Sequence, residues 1–195
     1  MIDTTAHVII FVANGADEVF VNTLLSFYQE NSPRPIRTWE VFNLKGIKRR
    51  NQRIRQKIDT IKARISEVQI IVFTFCTNIA LYPFCEKPVV DWTEIKGIAK
   101  DLQIQDYYEI IVDDLIEDWV LEDLTGLCNY ISIEIPEKIE GSGYQKMVAL
   151  FRTACRQYVS EYSIPSVLPY LDINKIRSAR EKSLCKLEEV LQVNN

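Results

Sequence analysis

The sequence predicts an α/β protein with a doubly wound, mainly parallel sheet and a helical C-terminal extension. Short apolar runs alternate with longer segments of helical periodicity, which is the pattern of successive βαβ units. Residues 8–13 and 68–75 are nearly continuous apolar runs, as expected of strands covered on both faces. The last third of the chain lacks such runs. We therefore assign residues 1–135 to the α/β domain and residues 136–195 to a helical extension packed on it.

Each element has a local justification. The strands predicted in chain order are residues 8–13, 36–44, 68–75 and 108–112, with a short extended piece at 132–135. The predicted helices are residues 17–30, 46–66, 91–102, 115–122, 124–130, 144–160 and 173–193. Residues 46–66 carry isoleucines at helical spacing, which predicts a buried stripe, and Asp91 is a suitable N-cap for residues 91–102.

Composition places the chain among ordinary globular proteins. Its 195 residues are 47% hydrophobic and 26% charged, with a net charge of −4. No apolar segment approaches the ~18 residues of a membrane span, so no membrane association is expected. The five cysteines form no CxxC pair and no leader-like segment is present, so we expect reduced thiols and a cytoplasmic location.

Two motifs at the ends of predicted strands resemble those of the Toprim fold, which is found in topoisomerases, primases, OLD-type nucleases and ribosomal-RNA maturases. In that family Glu-Gly-x-x-Asp follows the first strand and Asp-x-Asp ends a later one. The segment FVANGADEVF at 11–20 is similar to the first motif, and VFTFC at 72–76 to the second. Residues 116–127, 143–158 and 170–176 also look like parts of uncharacterised bacterial Toprim-like proteins.

The resemblance implies a magnesium-dependent nuclease site, but most of its carboxylates are absent. Ala13 stands at the glutamate position, Asn14 at the glycine, and Thr74 and Cys76 at the two later aspartates, so only Asp17 matches. Hard divalent ions in such sites need converging carboxylates. We therefore expect a catalytically degenerate protein, without a cofactor, that acts as a binding or interaction module. The resemblance alone suggests a setting such as bacterial anti-phage defence or a mobile element.

A relocated metal site is the alternative. Asp113, Asp114 and Glu117 follow the fourth predicted strand and would lie at the same sheet edge as Asp17. Together they would hold Mg²⁺ or Mn²⁺ in an active metal-dependent nuclease, with Asp17 and Glu117 as the residual catalytic candidates. The simpler interpretation of these acids is a solvated face that favours a helix N-terminus. A third hypothesis is an anion-binding module at residues 14–17, unrelated to nucleases.

The charge distribution suggests a surface for a partner. Residues 45–64 hold nine of the 23 basic side chains, whereas residues 101–137 hold eleven acids and no Lys or Arg. A basic helix of this kind binds a nucleic-acid backbone, docks on an acidic protein or another copy of the chain, or simply faces solvent. The candidate binding residues on it are Lys48, Arg49, Arg50, Arg53, Arg55, Lys57 and Arg64. A protein partner or self-association is the favoured binding mode, with nucleic acid as the other.

Overall fold

The computed structural model describes residues 6–44, 50–64, 68–77, 90–112 and 115–193, without the side chains of residues 50 and 77. It contains a four-stranded, all-parallel sheet of order β2-β1-β3-β4. The strands are β1 (Ala6–Val12), β2 (Thr38–Asn43), β3 (Gln69–Thr77) and β4 (Asp106–Val112). This order and the helices on both faces confirm the predicted doubly wound α/β fold.

The helices are α1 (Gly15–Asn31), α2 (Arg50–Arg64), α3 (Trp92–Asp101), α4 (Ile116–Val120), α5 (Leu124–Ile131), α6 (Gly143–Thr153), α7 (Ser160–Val167), α8 (Ile173–Ala179) and α9 (Glu181–Leu191). Short 3₁₀ turns follow α4 at Leu121–Asp123 and α7 at Leu168–Tyr170. The predicted cap of α3 is confirmed, because the Asp91 carboxylate accepts hydrogen bonds from two backbone amides of its first turn. Among the helices of the described segments, none is long and apolar enough to cross a membrane.

The sheet separates two hydrophobic layers. On one face Ile9, Phe11 and Val72 pack with the isoleucines of α2 and α3. On the other face alternate strand residues such as Val8 and Phe73 pack in a larger cluster that includes α1 and α4–α9. The C-terminal helices thus bury their apolar sides in the same core as β1. This asymmetry leaves the α2/α3 layer thin and the α1 layer thick.

Three sequence expectations were wrong in the C-terminal part. A single helix over 144–160 does not form, because α6 ends at Thr153 and Cys155 adopts a left-handed φ of 54° before α7 begins. The expected helix over 173–193 is divided at Arg180, which ends α8. Residues 132–135 join no strand, since Ser132 closes α5 in the left-handed conformation.

Candidate functional site

The carboxyl edge of the sheet between β1 and β3 is where ligands bind in folds of this order, because the chain leaves these neighbouring strands in opposite directions. Ala13 and Asn14 follow β1 at this edge, and Thr77 ends β3. Residues 78–89, which follow β3, lie outside the described part of the chain. The described part of the candidate site therefore consists of the end of β1, the start of α1 and the elements that pack on them.

Three of the four positions where the family motifs carry a carboxylate, namely Ala13, Thr74 and Cys76, lie on the α2/α3 face. Ala13 is buried in the cluster of that layer. Thr74 is fully buried, and its hydroxyl lies 3.2 Å from the Tyr107 hydroxyl and accepts a 3.2 Å hydrogen bond from the Cys76 thiol. Burial raises the pKa of Cys76 to about 11, so the thiol stays protonated at neutral pH. These positions form an uncharged, internally hydrogen-bonded patch.

On this side of the sheet β4 places a carboxylate beside Thr74. Glu109 pairs in register with Thr74 and forms an ion pair of 3.4 Å with Lys96 of α3. The sequence reasoning did not single out Glu109, Lys96 or Tyr107. The alternation of side chains along β4 would have placed Tyr107 and Glu109 on one face of the sheet. It could not have placed them next to Thr74, because that contact depends on the order of the strands in the sheet.

Asp17 points to the opposite layer and is held by the turn before it. Asn14 is the N-cap of α1, and its Oδ1 accepts hydrogen bonds from the amides of Ala16 at 2.8 Å and Asp17 at 3.0 Å. The Asn14 side-chain amide then donates to Asp17 Oδ2 at 2.9 Å. Asp17 is only 1% exposed, and its Oδ1 lacks a well-formed hydrogen bond among the described residues. The amides expected to receive an anion are thus occupied by Asn14.

Glu117 is the second buried carboxyl group of this region. It lies at the start of α4, is 3% exposed, and accepts hydrogen bonds at Oε1 from the Tyr158 hydroxyl at 3.0 Å and the Ser160 hydroxyl at 2.7 Å. It is therefore not part of a solvated acidic face. Both donors come from the C-terminal extension and were missed in the sequence, since more than 40 residues separate them from Glu117.

The structure brings Asp17 and Glu117 close enough to interact electrostatically. Burial is the main reason that the pKa of Asp17 rises to about 7, and the charge of Glu117 raises it further, against hydrogen bonds from Asn14 and the adjoining backbone. Asp113 and Asp114, the other two proposed ligands, lie outside the described residues. Within the described segments, no group of three or more His, Cys, Asp or Glu side chains is arranged to hold a metal ion.

The basic helix uses much of its charge within the chain. Lys57 lies 3.2 Å from Glu40 of β2, and Arg64 pairs with the same carboxylate. Burial opposes ionisation of Glu40, but hydrogen bonds from Arg64 and Lys57 leave its pKa below the usual range. Arg55 forms an ion pair with Asp101 of α3. Of the other candidate binding residues, Lys48 and Arg49 lie outside the described part of the chain. The side chain of Arg50 also lies outside it.

A groove of about 340 Å³ opens between β2 and α2 at the carboxyl end of the sheet. Its apolar lining consists of Phe11, Phe42, Leu44 and Ile54, and its polar lining of Asn43, Arg53, Gln56, Lys57 and Thr60. The ammonium group of Lys57 lies 4.1 Å from the centroid of the Phe42 ring. Among these described lining residues, none is acidic, so the groove combines an apolar floor with a cationic rim.

Two neighbouring acids of the stretch 101–137 are engaged by the C-terminal extension. Asp123 accepts hydrogen bonds from the Asp172 amide at 2.9 Å and the Lys175 ammonium at 3.0 Å. Glu122 pairs with Arg180 at 2.6 Å. These carboxylates therefore hold the extension in place and do not form an open acidic surface.

Comparison of the chain with protein-family models, with curated proteins and with solved structures gives no match.

Proposed function

We propose that this chain is a catalytically degenerate Toprim-like domain that works by binding another macromolecule, preferentially a protein. The observation that carries the proposal is the chemistry of the motif positions on the α2/α3 face. Ala13, Thr74 and Cys76 supply no carboxylate there, and the two polar groups are hydrogen-bonded within the protein. A pair of metal ions in phosphodiester hydrolysis needs carboxylates that converge from this sheet edge.

The geometry of Asp17 supports the same proposal. Its carboxyl group is turned to the other face of the sheet, is almost fully buried, and has a pKa of about 7. A group that is substantially protonated at neutral pH is a poor ligand for a hard cation, because the metal must displace the proton. The fold would thus keep the nuclease-like sheet edge while the remaining acid serves the interior.

The experiment is a cleavage assay on supercoiled plasmid DNA and a folded RNA with Mg²⁺ or Mn²⁺. We expect no cleavage by the wild-type protein above the level of a matched Asp17→Asn preparation, which controls for a contaminating nuclease. Salt-sensitive binding of nucleic acid without cleavage would favour the nucleic-acid form of the binding function. Co-purification of a specific protein, with neither activity, would favour the protein-partner form.

A metal-dependent nuclease is the second candidate, and the proximity of Asp17 and Glu117 favours it. Two buried carboxyl groups at one sheet edge repel each other, and a bound cation would relieve that repulsion. Under this function Mn²⁺ binds with measurable heat in calorimetry, and both Asp17→Asn and Glu117→Gln abolish the heat and the cleavage. That pattern would overturn the proposal of a degenerate domain.

A further inference from the structure

The groove between β2 and α2 has an apolar floor and a positively charged rim, and its described lining residues include no acid. Phe11 and Leu44 are each 1% exposed and Ile54 is 2% exposed, so the floor is continuous with the core of the α2/α3 layer. Arg53, Gln56, Lys57 and Thr60 line the α2 side of the groove. Their spacing of three and four residues places them on one face of the helix. A ligand of matching chemistry has apolar and negatively charged groups side by side.

The cations of the rim differ in how far they are neutralised. Lys57 shares Glu40 with Arg64. Arg53 is exposed, and among the described residues it is paired with no carboxylate. An arginine at the edge of a desolvated floor can bind a carboxylate with two parallel hydrogen bonds. The groove therefore has one cation ready for a partner's carboxylate and a second that already stabilises the strand.

The size and the rings of the groove favour a peptide over a nucleic acid. Binding pockets for small ligands measure roughly 300–1,000 Å³, so a groove of about 340 Å³ accepts one or two side chains. The Phe42 ring carries Lys57 at 4.1 Å, so one of its faces is already covered. Recognition of single-stranded nucleic acid relies on free aromatic faces along a basic track, and Arg55 and Arg64 of this helix are already paired with Asp101 and Glu40.

Three acids of the stretch 101–137 are poorly suited as the occupant. Glu117, Glu122 and Asp123 are bound by side chains of the C-terminal extension, and the first and third of these are buried. A second copy could offer them only by breaking those bonds. The charge complementarity of the groove therefore indicates an acidic peptide segment that does not contain these three residues.

We propose that the groove between β2 and α2 binds an acidic peptide segment that places an apolar side chain on Phe42, above the buried Phe11 and Ile54, and a carboxylate on Arg53. This inference rests on the proposed binding function and names its partner class. Binding of this kind depends on ionic strength, because the rim charges are exposed. The apolar anchor supplies the part of the affinity that salt does not remove.

The test uses fluorescence anisotropy with a labelled twelve-residue peptide of alternating glutamate and leucine. The comparison probes are the same peptide with lysine at each glutamate position and a labelled twenty-nucleotide single-stranded RNA. We expect the acidic peptide to bind, Arg53→Glu to weaken binding about five- to tenfold, and Thr60→Trp to weaken it by narrowing the groove. The matched control is Lys182→Glu, an exposed charge reversal on α9 that should leave binding within about twofold.

Three outcomes would overturn the inference: equal binding of the acidic and basic peptides, an Arg53→Glu affinity equal to that of Lys182→Glu, or binding of the RNA at Arg53 without binding of the peptide. Circular dichroism of each variant shows whether it is folded, and all three substitutions are at exposed positions. Failure here leaves the degenerate-domain proposal standing if the cleavage assay is also negative. Cleavage that depends on Asp17 overturns that proposal whatever the peptide does.

Discussion

Replacing the buried acid of α1 by its neutral isostere should stabilise the protein at alkaline pH. The folded-state pKa of Asp17 is about 7, against 3.8 for an unperturbed group, which is a difference of about 3 pKa units. Each pKa unit corresponds to about 1.36 kcal/mol, so ionising this group inside the fold costs about 4 kcal/mol at pH 8. Relaxation and water entry reduce such costs, so we expect an observed effect of about 2–4 kcal/mol.

The sign follows from proton binding. Between pH 3.8 and about 7 the folded chain keeps the Asp17 proton while the unfolded chain has lost it, so the contribution of this group to stability falls as pH rises. Asp17→Asn removes that dependence. The gap in unfolding free energy between variant and wild type should therefore be small at pH 4 and should grow in favour of the variant toward pH 8.

Urea denaturation followed by circular dichroism at pH 4, 5, 6, 7 and 8 measures this gap. Glu18→Gln is the matched control, because it neutralises the next residue of the same turn, which is only half-buried. Glu18→Gln removes a charge from the helix N-terminus at a cost of about 0.3–1 kcal/mol, without the burial that raises the pKa of Asp17. The reasoning is refuted if the Asp17→Asn gap stays flat from pH 4 to pH 8, or if that variant is the less stable protein at pH 8.

Two further substitutions test the polar contacts of the C-terminal extension. Tyr158→Phe removes the 3.0 Å hydrogen bond to Glu117 and should cost about 1.5–3 kcal/mol in thermal or urea unfolding, and a loss below about 0.5 kcal/mol would show that Ser160 suffices as a donor. Arg177→Met leaves the buried Glu188 without its two-pronged partner at 2.6 and 2.7 Å and should cost about 3 kcal/mol or more. Lys186→Met breaks an exposed ion pair on α9 and should lower the free energy of unfolding by less than about 0.5 kcal/mol. Equal losses for Arg177→Met and Lys186→Met would contradict the role of burial.

The elements that the sequence predicted well have strong local signals. Nearly continuous apolar runs identified β1 and β3, because a strand covered on both faces needs apolar side chains on both. The isoleucine stripe of α2 is likewise confirmed at Ile54, Ile58 and Ile61, which are 1–2% exposed. The remaining isoleucines of that stripe lie outside the described residues.

The errors arise where distant residues decide the local structure. No Gly or Pro marks the end of α6 near Cys155, or the division between α8 and α9 at Arg180. The Arg180 side chain reaches Glu122 and the backbone carbonyl of Asp118, contacts that exist only when the extension is packed on the sheet. Periodicity within a short window carries no information about such partners.

The candidate site was predictable as a place but not as an arrangement. Strand–turn–helix patterning located Asn14 and Asp17 at the sheet edge. It did not show that Ala13 and Thr74 face α2 and α3 while Asp17 faces α4, because tertiary packing decides which side of the sheet each side chain enters. The donors to Glu117 come from α7 and the segment before it, and no sequence spacing connects them.

The sharing of one core between the sheet and the C-terminal helices has a consequence for biosynthesis. A ribosome releases residues 1–135 before the helices that cover β1, β3 and Trp119 have been made. Until those helices emerge, a broad apolar surface and the carboxylates of Glu117 and Asp123 stay without their partners. Exposed apolar surface of this kind promotes aggregation of a nascent chain. Because the sheet and these helices share one core, we expect them to unfold together, in a single calorimetric transition.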